Sequence, residues 1–130
     1  MKKILIVVAN YYPDISAELI KSATKSLDNY DISKIKAPGV YEIPVLISRN
    51  INNFDGFIAL GCVIKGETPH FELICNSVMS GIINISIESK KPIGNGILTC
   101  LNKEQAKARL KKGEEAAEAV KQVLNNVTIK

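Results

Sequence analysis

The chain has one histidine, His70, and places it at the predicted start of a helix in "GCVIKGETPHFE", residues 61–72. Free backbone N–H groups at a helix start favour an anion. Gly66 allows the backbone to approach a ligand closely, and Lys65 adds a positive charge that Glu67 partly offsets. A neutral imidazole at this position can accept a proton and pass it on. The stretch fits an anion site beside a general acid–base, or an ordinary helix start with a surface histidine.

Two other loops carry aromatic and acidic side chains. The rings of Tyr11, Tyr12 and Tyr41 can stack on a planar heterocycle. Glu42 can accept hydrogen bonds from a polyol. Taken one at a time, these residues are equally explained by ring packing and by a solvated carboxylate. Arg109 lies in a lysine-rich helical segment, and by residue type alone it is a surface residue.

Local signals predict where the helices begin. Thr68 is a predicted N-cap, with Pro69 at the first helical position, where its missing N–H has no cost. Asp14 or Ser16 is expected to cap the first helix. Asn102, followed three residues later by a glutamine, has the pattern of a capping box.

Hydrophobic periodicity predicts the elements that position these loops. Apolar, β-branched runs predict buried strands at residues 4–9 and 57–64, and the pattern also predicts a short, weaker strand at 32–36 and a fourth strand at 93–100. Apolar residues at helical spacing fill the segments between them, and such alternation indicates an α/β domain with a parallel sheet. Ligands bind these sheets outside the carboxyl ends of the strands. The loops expected there are residues 10–14, 37–42 and 65–70.

Length and composition favour one soluble globular domain spanning residues 1–130. Of the 130 residues 46% are hydrophobic and 23% are charged, and the seventeen basic residues are interleaved with thirteen acidic ones. The mild net charge of +4 does not favour nucleic acid as a partner. The first apolar run is too short for a signal peptide or a membrane span, so no membrane partner is expected.

The three cysteines, Cys62, Cys75 and Cys100, include no C-x-x-C pair. An odd count without such a pair indicates neither a disulfide framework nor a zinc site, so no metal is expected. Small buried hydrophobic side chains are the simplest interpretation. Free thiols are typical of a reducing compartment, and the sequence therefore predicts a cytoplasmic protein.

The predicted third helix is more apolar than a helix on the surface of a monomer. Its stripe consists of Phe71, Ile74, Cys75, Val78, Met79, Ile82 and Ile83. So wide a stripe indicates that another subunit covers it.

Three motifs together resemble the lumazine synthase family of riboflavin biosynthesis. They are "APGVYEIP" (37–44), "GCVIKGETPHFE" (61–72) and "GILTCLNKEQAKAR" (96–109), and their order and spacing match the family over nearly the whole chain. The resemblance implies a flavodoxin-like three-layer α/β sandwich, with a central four-stranded parallel sheet flanked by helices. It also implies a transferase that condenses 5-amino-6-(D-ribitylamino)uracil with 3,4-dihydroxy-2-butanone 4-phosphate. The products are 6,7-dimethyl-8-ribityllumazine, phosphate and water, in the penultimate step of the pathway.

The resemblance also has implications for cofactors and partners. The family uses no metal or organic cofactor, so none is implied here. It forms homopentamers with active sites between neighbouring subunits, and riboflavin synthase is a candidate partner. Residues 109–116 are shorter than the glycine-containing bend that accompanies capsid assembly in the family. We therefore expect a free pentamer rather than a capsid, with a decamer of two pentamers as the alternative.

Matching positions give the candidate site residues. His70 corresponds to the proposed proton shuttle, and Tyr11 to the aromatic residue that stacks on the pyrimidine. The segment that holds the ribityl chain corresponds to Gly39, Val40, Tyr41 and Glu42. Backbone contacts to the uracil ring correspond to Val63 and Ile64, and the phosphate-binding turn to Gly66, Glu67 and Thr68.

Three further positions come from the last motif and its surroundings. Arg109 corresponds to the arginine that completes the phosphate site. Lys112 is matched across a gap to a lysine near the pyrimidine. Asn95 stands where many members have phenylalanine, so the apolar wall offered by the neighbouring subunit is expected to be more polar here.

Other functions remain open on the sequence. An archaeal-type riboflavin synthase shares this ancestry but consumes lumazine instead of making it. A non-catalytic oligomeric module would bind lumazine or flavin without accelerating the condensation. A redox flavoprotein is less favoured, because residues 10–14 lack the Ser/Thr- and Gly-rich character of an FMN phosphate site.

Overall fold

Four strands form one parallel sheet in the computed structural model, which describes residues 1–129. They are β1 (Lys3–Ala9), β2 (Asp31–Ala37), β3 (Gly56–Ile64) and β4 (Ile93–Cys100). The order across the sheet is β2-β1-β3-β4, and each neighbouring pair is parallel. This is the flavodoxin-like order, with β1 inside the sheet. The predicted α/β fold with a four-stranded parallel sheet is confirmed.

Within residues 1–129, five helices cover the two faces of this sheet. They are α1 (Pro13–Thr24), α2 (Ile43–Arg49), α3 (His70–Ser89), α4 (Lys103–Ala108) and α5 (Lys112–Leu124), and a 3-10 turn at Val40–Glu42 precedes α2. The helices α1 and α5 pack on one face, and α2 and α3 pack on the other. The short α4 lies against β4. The chain thus has the three layers expected from its alternating pattern.

The first strand is buried on both faces, which explains its continuous apolar run. Ile4, Ile6 and Val8 belong to the core under α1 and α5. Leu5 and Val7 belong to the core under α2 and α3. Burial of both faces is usual for a parallel sheet, so this strand could be identified from its sequence alone.

The first helix begins earlier than predicted. It starts at Pro13, and no side chain of the described residues caps it, so the expectation that Asp14 or Ser16 is the cap is wrong. The hydroxyl of Ser16 instead turns inward and donates a hydrogen bond of 2.7 Å to the carbonyl of Ala9. A buried hydroxyl needs a partner, and the end of β1 supplies one that local sequence does not reveal.

The third helix begins later than predicted. Its first residue is His70, so Pro69 occupies the N-cap position and Thr68 lies outside the helix. The predicted cap at Thr68 is therefore wrong, and Pro69 is not at the first helical position. The backbone of Pro69, with φ −74° and ψ 3°, completes the turn that leads into the helix.

The capping box at α4 is confirmed. The N–H of Gln105 donates a hydrogen bond of 2.9 Å to Oδ1 of Asn102. The side chain of Gln105 reaches back and accepts a hydrogen bond of 2.8 Å from the N–H of Leu101. Both bonds span only a few residues, which is why the pattern was visible in the sequence.

The third helix leaves much of its apolar surface uncovered. Among its 20 residues, Val78 and Ile82 are buried, whereas Leu73, Ile83 and Ile87 are between 56% and 67% exposed. Exposed apolar patches of this kind are typical of interaction surfaces. Coverage by another subunit stays a prediction. In the described part of the chain, no helix combines the length and the hydropathy needed to cross a membrane.

Candidate active site

Three loops meet at the carboxyl edge of the sheet. The loop after β1 carries Tyr11, the 3-10 turn Val40–Glu42 follows β2, and residues 65–69 join β3 to α3. The N–H of Asn10 donates a hydrogen bond of 3.3 Å to the carbonyl of Ala37, which ties the first two loops together. This is the edge at which open parallel sheets bind ligands.

Gly61 in β3 holds the 3-10 turn close to the sheet. A Cβ on Gly61 would lie 2.7 Å from Cγ1 of Val40 and 3.1 Å from Cβ of Ala9. A packed interior cannot accommodate the extra carbon without movement. Val40 is buried here, while the adjacent Tyr41 is 65% exposed. Gly61 is the first residue of the second motif, but it was given no role there; the available signal was a glycine inside a buried strand.

The ring of Tyr11 is presented at this edge and is 72% exposed. It packs edge-on against Tyr12, with ring centroids 5.0 Å apart and an interplanar angle of 77°. Nζ of Lys103 lies 5.7 Å from the centroid of the Tyr12 ring and 4.0 Å from the carboxylate of Asp14. The start of α4 thus supports the loop, and the Tyr11 ring stays accessible for stacking.

The segment between β3 and α3 is anchored at its start and exposed beyond it. The N–H of Lys65 donates a hydrogen bond of 2.9 Å to the carbonyl of Cys100. Gly66, Glu67 and Thr68 are exposed. A Cβ on Gly66 would meet no atom within 4 Å, so no described neighbour requires a glycine here. The open space can admit a ligand or a second subunit.

His70 is exposed at the first position of α3. No side chain within residues 1–129 caps this helix, so its first backbone N–H groups are available to an anion. Nζ of Lys65 lies 3.4 Å from Oε1 of Glu72, and both side chains are about half exposed. Such a surface pair contributes at most about 1 kcal/mol, so it can yield to a bound anion.

A separate cavity of about 330 Å³ lies beside β4. Its lining includes Ile97 and Thr99 from β4, Arg109 after α4 and Lys112 at the start of α5. The N–H of Lys112 donates a hydrogen bond of 3.0 Å to the carbonyl of Arg109, so both cations are carried by one tight turn. The cavity is lined by neither the segment 65–69 nor the histidine that follows it.

Asn95 lies on β4, two residues before Ile97 of the cavity lining, and its polar atoms are bonded within its own chain. Oδ1 accepts a hydrogen bond of 3.1 Å from the N–H of Ile97. Nδ2 lies 3.2 Å from Sδ of Met79 in α3. The motifs did not reveal the contact with Met79, because it joins residues that are distant along the chain.

The cysteines are free, and Cys62 and Cys100 are buried. Burial, together with the nearby Cys100 and Asp14, raises the pKa of the Cys62 thiol to about 11. Cys62 is therefore a neutral thiol at neutral pH and acts as a packing residue. Within residues 1–129, no three His, Cys, Asp or Glu side chains are arranged to hold a metal ion.

Comparison with known proteins shows the family of this chain. The family model described as 6,7-dimethyl-8-ribityllumazine synthase matches residues 1–128. The chain belongs to the 6,7-dimethyl-8-ribityllumazine synthase family. The resemblance drawn from the three motifs is thereby confirmed.

Curated relatives carry the name of this synthase. The protein from Limosilactobacillus reuteri is 38% identical over 131 residues, which cover 95% of this chain and 86% of the relative. The protein from Bartonella tribocorum is 43% identical over 126 residues, covering 89% and 83%. The protein from Vesicomyosocius okutanii is 40% identical over 136 residues, covering 92% and 81%.

The residues matched to lumazine synthases fall into two groups in this chain. The loop group lies at the carboxyl edge of the sheet and comprises Tyr11, residues 39–42 and the candidates between 63 and 70. The cavity group, Asn95, Arg109 and Lys112, lies on or beside β4 and the turn that follows α4. Within one chain, the start of α3 and Arg109 belong to different groups.

Proposed function

We propose that this chain condenses 5-amino-6-(D-ribitylamino)uracil with 3,4-dihydroxy-2-butanone 4-phosphate to give 6,7-dimethyl-8-ribityllumazine, phosphate and water. The family match over residues 1–128 carries the proposal. Relatives that are 38% and 43% identical over most of their length bear the name of the same synthase. This evidence does not favour the alternative of a riboflavin synthase.

In this proposal the loop group binds the ribitylaminouracil. The exposed ring of Tyr11 stacks on the pyrimidine, and the carboxylate of Glu42 accepts hydrogen bonds from the ribityl hydroxyls. The 3-10 turn and the end of β3 supply the remaining contacts, from Gly39, Val40, Tyr41, Val63 and Ile64. Gly61 supports them by letting the turn approach the sheet.

The start of α3 binds the phosphate of the second substrate and releases it as a leaving group. Backbone N–H groups of an uncapped helix start, with the preceding Gly66, Glu67 and Thr68, form the anion site. His70 stands at the same place and moves protons during Schiff-base formation, phosphate elimination and ring closure. Holding both reactants together supplies a further acceleration, since effective molarities reach about 10⁵–10⁸ M.

Arg109 and Lys112 complete the site from a neighbouring subunit. They line a cavity that the helix start of their own chain does not reach. A guanidinium binds phosphate through two parallel hydrogen bonds, and Lys112 approaches the pyrimidine. Asn95 belongs to the same subunit boundary. The exposed apolar face of α3 supports contact with another subunit, and the assembly in this proposal is a homopentamer with one site at each boundary.

The proposal extends to location and partners. We place the reaction in the cytoplasm, a compartment in which thiols such as Cys62 stay reduced. Riboflavin synthase is the proposed partner that consumes the product. The residues assigned above bind, position and transfer protons, and the proposed reaction uses no cofactor.

The test is an assay with both substrates on the intact protein. Lumazine absorbance and phosphate release should rise together in equimolar amounts and faster than in buffer. A riboflavin synthase would instead convert added lumazine to riboflavin, and a binding module would bind lumazine but leave the condensation at its rate in buffer. Either of the last two results would overturn the proposal.

A further inference from the structure

We propose that Asn95 is a positioning residue: its side chain ties down the open edge of β4 and so holds the wall of the cavity that contains Arg109 and Lys112. The inference rests on the function proposed above, which makes that cavity part of the active site. It gives Asn95 a role within its own chain rather than a polar contact with substrate.

Among residues 1–129, the strand that carries Asn95 has one neighbouring strand. In the sheet order, β4 is an edge strand paired with β3. The carbonyl of Cys100 accepts a hydrogen bond of 2.9 Å from Lys65, so this residue faces β3. The carbonyl of Pro92, accepting a hydrogen bond of 3.0 Å from Phe57, faces the same way. Backbone groups alternate along a strand, so those of Ile97 point away from the sheet.

Asn95 satisfies the outward N–H of Ile97. Its Oδ1 accepts this hydrogen bond at 3.1 Å, while its Nδ2 lies 3.2 Å from Sδ of Met79. The amide group therefore spans from β4 to α3. Asparagine favours a bond to the backbone two residues on, and filling an edge N–H also removes a pairing site for other strands.

Glycines flank Asn95 on both sides. Asn95 stands between Gly94 and Gly96 inside β4, and glycines give a strand extra backbone freedom. A Cβ on Gly96 would lie 2.5 Å from Cδ2 of Leu60, so tight packing favours glycine there. The next residues of the strand, Ile97 among them, form the cavity wall. The tie at Asn95 lies two residues before Ile97 and adds to the burial of the wall residues Ile97 and Leu98, which are each 3% exposed.

The consequence for catalysis is a change in binding rather than in proton transfer. Loosening the wall shifts it relative to Arg109, which carries the phosphate contact from the neighbouring subunit. The proton-transferring His70 lies on α3, which Asn95 also contacts, but it stands at the first position of that helix, nine residues before Met79, so we expect loss of the tie to affect it less. Loss of the tie should therefore raise the KM for butanone phosphate and leave kcat nearly unchanged.

The decisive variant is Asn95→Leu, which keeps the shape of the side chain and removes both hydrogen-bonding groups. We expect its KM for butanone phosphate to rise about 2- to 10-fold, the factor that a net hydrogen-bond energy gives. Hydrogen exchange at the Ile97 amide should accelerate. In Asn95→Asp, which keeps the acceptor, this exchange should stay near that of the wild type. The variant Asn53→Leu, at an exposed turn outside both groups, is the matched control.

The inference would be overturned by unchanged exchange at Ile97 in Asn95→Leu, or by accelerated exchange with an unchanged KM. A fall in kcat with an unchanged KM would also contradict it. Thermal unfolding of each variant shows whether it is folded. A wild-type protein that makes no lumazine would instead refute the proposed function. Hydrogen exchange at Ile97 needs no substrate, so it still tests the hydrogen bond from Ile97 to Asn95 in that case.

Discussion

Cγ1 of Val40 lies 2.7 Å from the point that a Cβ on Gly61 would occupy. This approach joins the 3-10 turn after β2 to the interior of β3. The missing side chain of Gly61 therefore sets how closely the proposed ribityl-binding turn lies against the sheet.

Gly61→Ala should destabilise the protein and weaken binding of the ribitylaminouracil. The added methyl group must displace Val40, and overpacking of this kind costs about 1–3 kcal/mol. Thermal unfolding and the KM for each substrate measure the two effects. Gly66→Ala is the stability control, because its Cβ would meet no atom within 4 Å. If Gly61→Ala had the stability of the wild type and an unchanged KM for the uracil, the role given to the contact between Gly61 and Val40 would be wrong.

The contact between Val40 and Gly61 also marks a limit of sequence-based prediction. Features set by a few neighbouring residues could be predicted from the sequence. The capping box at Asn102 forms as predicted, and the buried strand β1 follows its apolar run. Contacts between distant segments could not be predicted in this way. The hydroxyl of Ser16 bonds to Ala9 instead of capping a helix, because the partner is defined only after β1 and α1 have packed.

The same distinction between local signals and distant contacts applies to the candidate site. Family motifs gave the loop and cavity residues because their types and spacing recur within continuous stretches of sequence. They could not show that Arg109 lines a cavity apart from the start of α3, since that depends on where α4 packs. Nor could they show the contact of Asn95 with Met79, which a packed α3 creates.

His70→Ala should slow the condensation at saturating concentrations of both substrates. The loss of a general acid–base typically costs about 10²–10⁴-fold, and proximity of the reactants will limit the observed decrease. Single-turnover lumazine formation is the measurement. Asn76→Ala, an exposed position on the same helix, is the matched control. A saturated rate equal to that of the wild type would remove His70 from the mechanism.

Arg109→Ala should weaken the butanone phosphate far more than the uracil. Removing a hydrogen bond to a charged group costs about 1.5–3 kcal/mol, or about 10- to 150-fold in KM at 1.4 kcal/mol per factor of ten. Lys107→Ala removes a neighbouring exposed charge from α4 and serves as the control. If the KM for the uracil alone changed, the assignment of Arg109 to the phosphate would be wrong.

Stability should depend on the Cys62 thiol at high pH. In the folded protein its pKa is raised from 9.0 to about 11, chiefly by burial. Between these values the unfolded chain loses the proton while the folded chain keeps it, so the free energy of unfolding falls as pH rises. Below pH 9 this contribution is fully present. Denaturant titrations at several pH values give the free energy of unfolding of the wild type and of Cys62→Ala. Between pH 9 and 11 this free energy should fall more steeply with pH in the wild type than in the variant. The same pH dependence in both proteins would exclude a contribution from Cys62.

Co-expression of His70→Ala with Arg109→Ala tests whether each site is shared between subunits. If a site takes His70 from one subunit and Arg109 from its neighbour, random mixing in a ring leaves roughly a quarter of the sites with both residues. The mixed oligomer should then regain activity that neither variant has alone. Mixing the two separately assembled oligomers is the control and should regain nothing while subunits do not exchange.

If both residues served one site within the same chain, no mixed oligomer could contain an intact site. Absence of recovery in verified mixed oligomers would therefore overturn the shared site and, with it, the role given to the cavity beside β4.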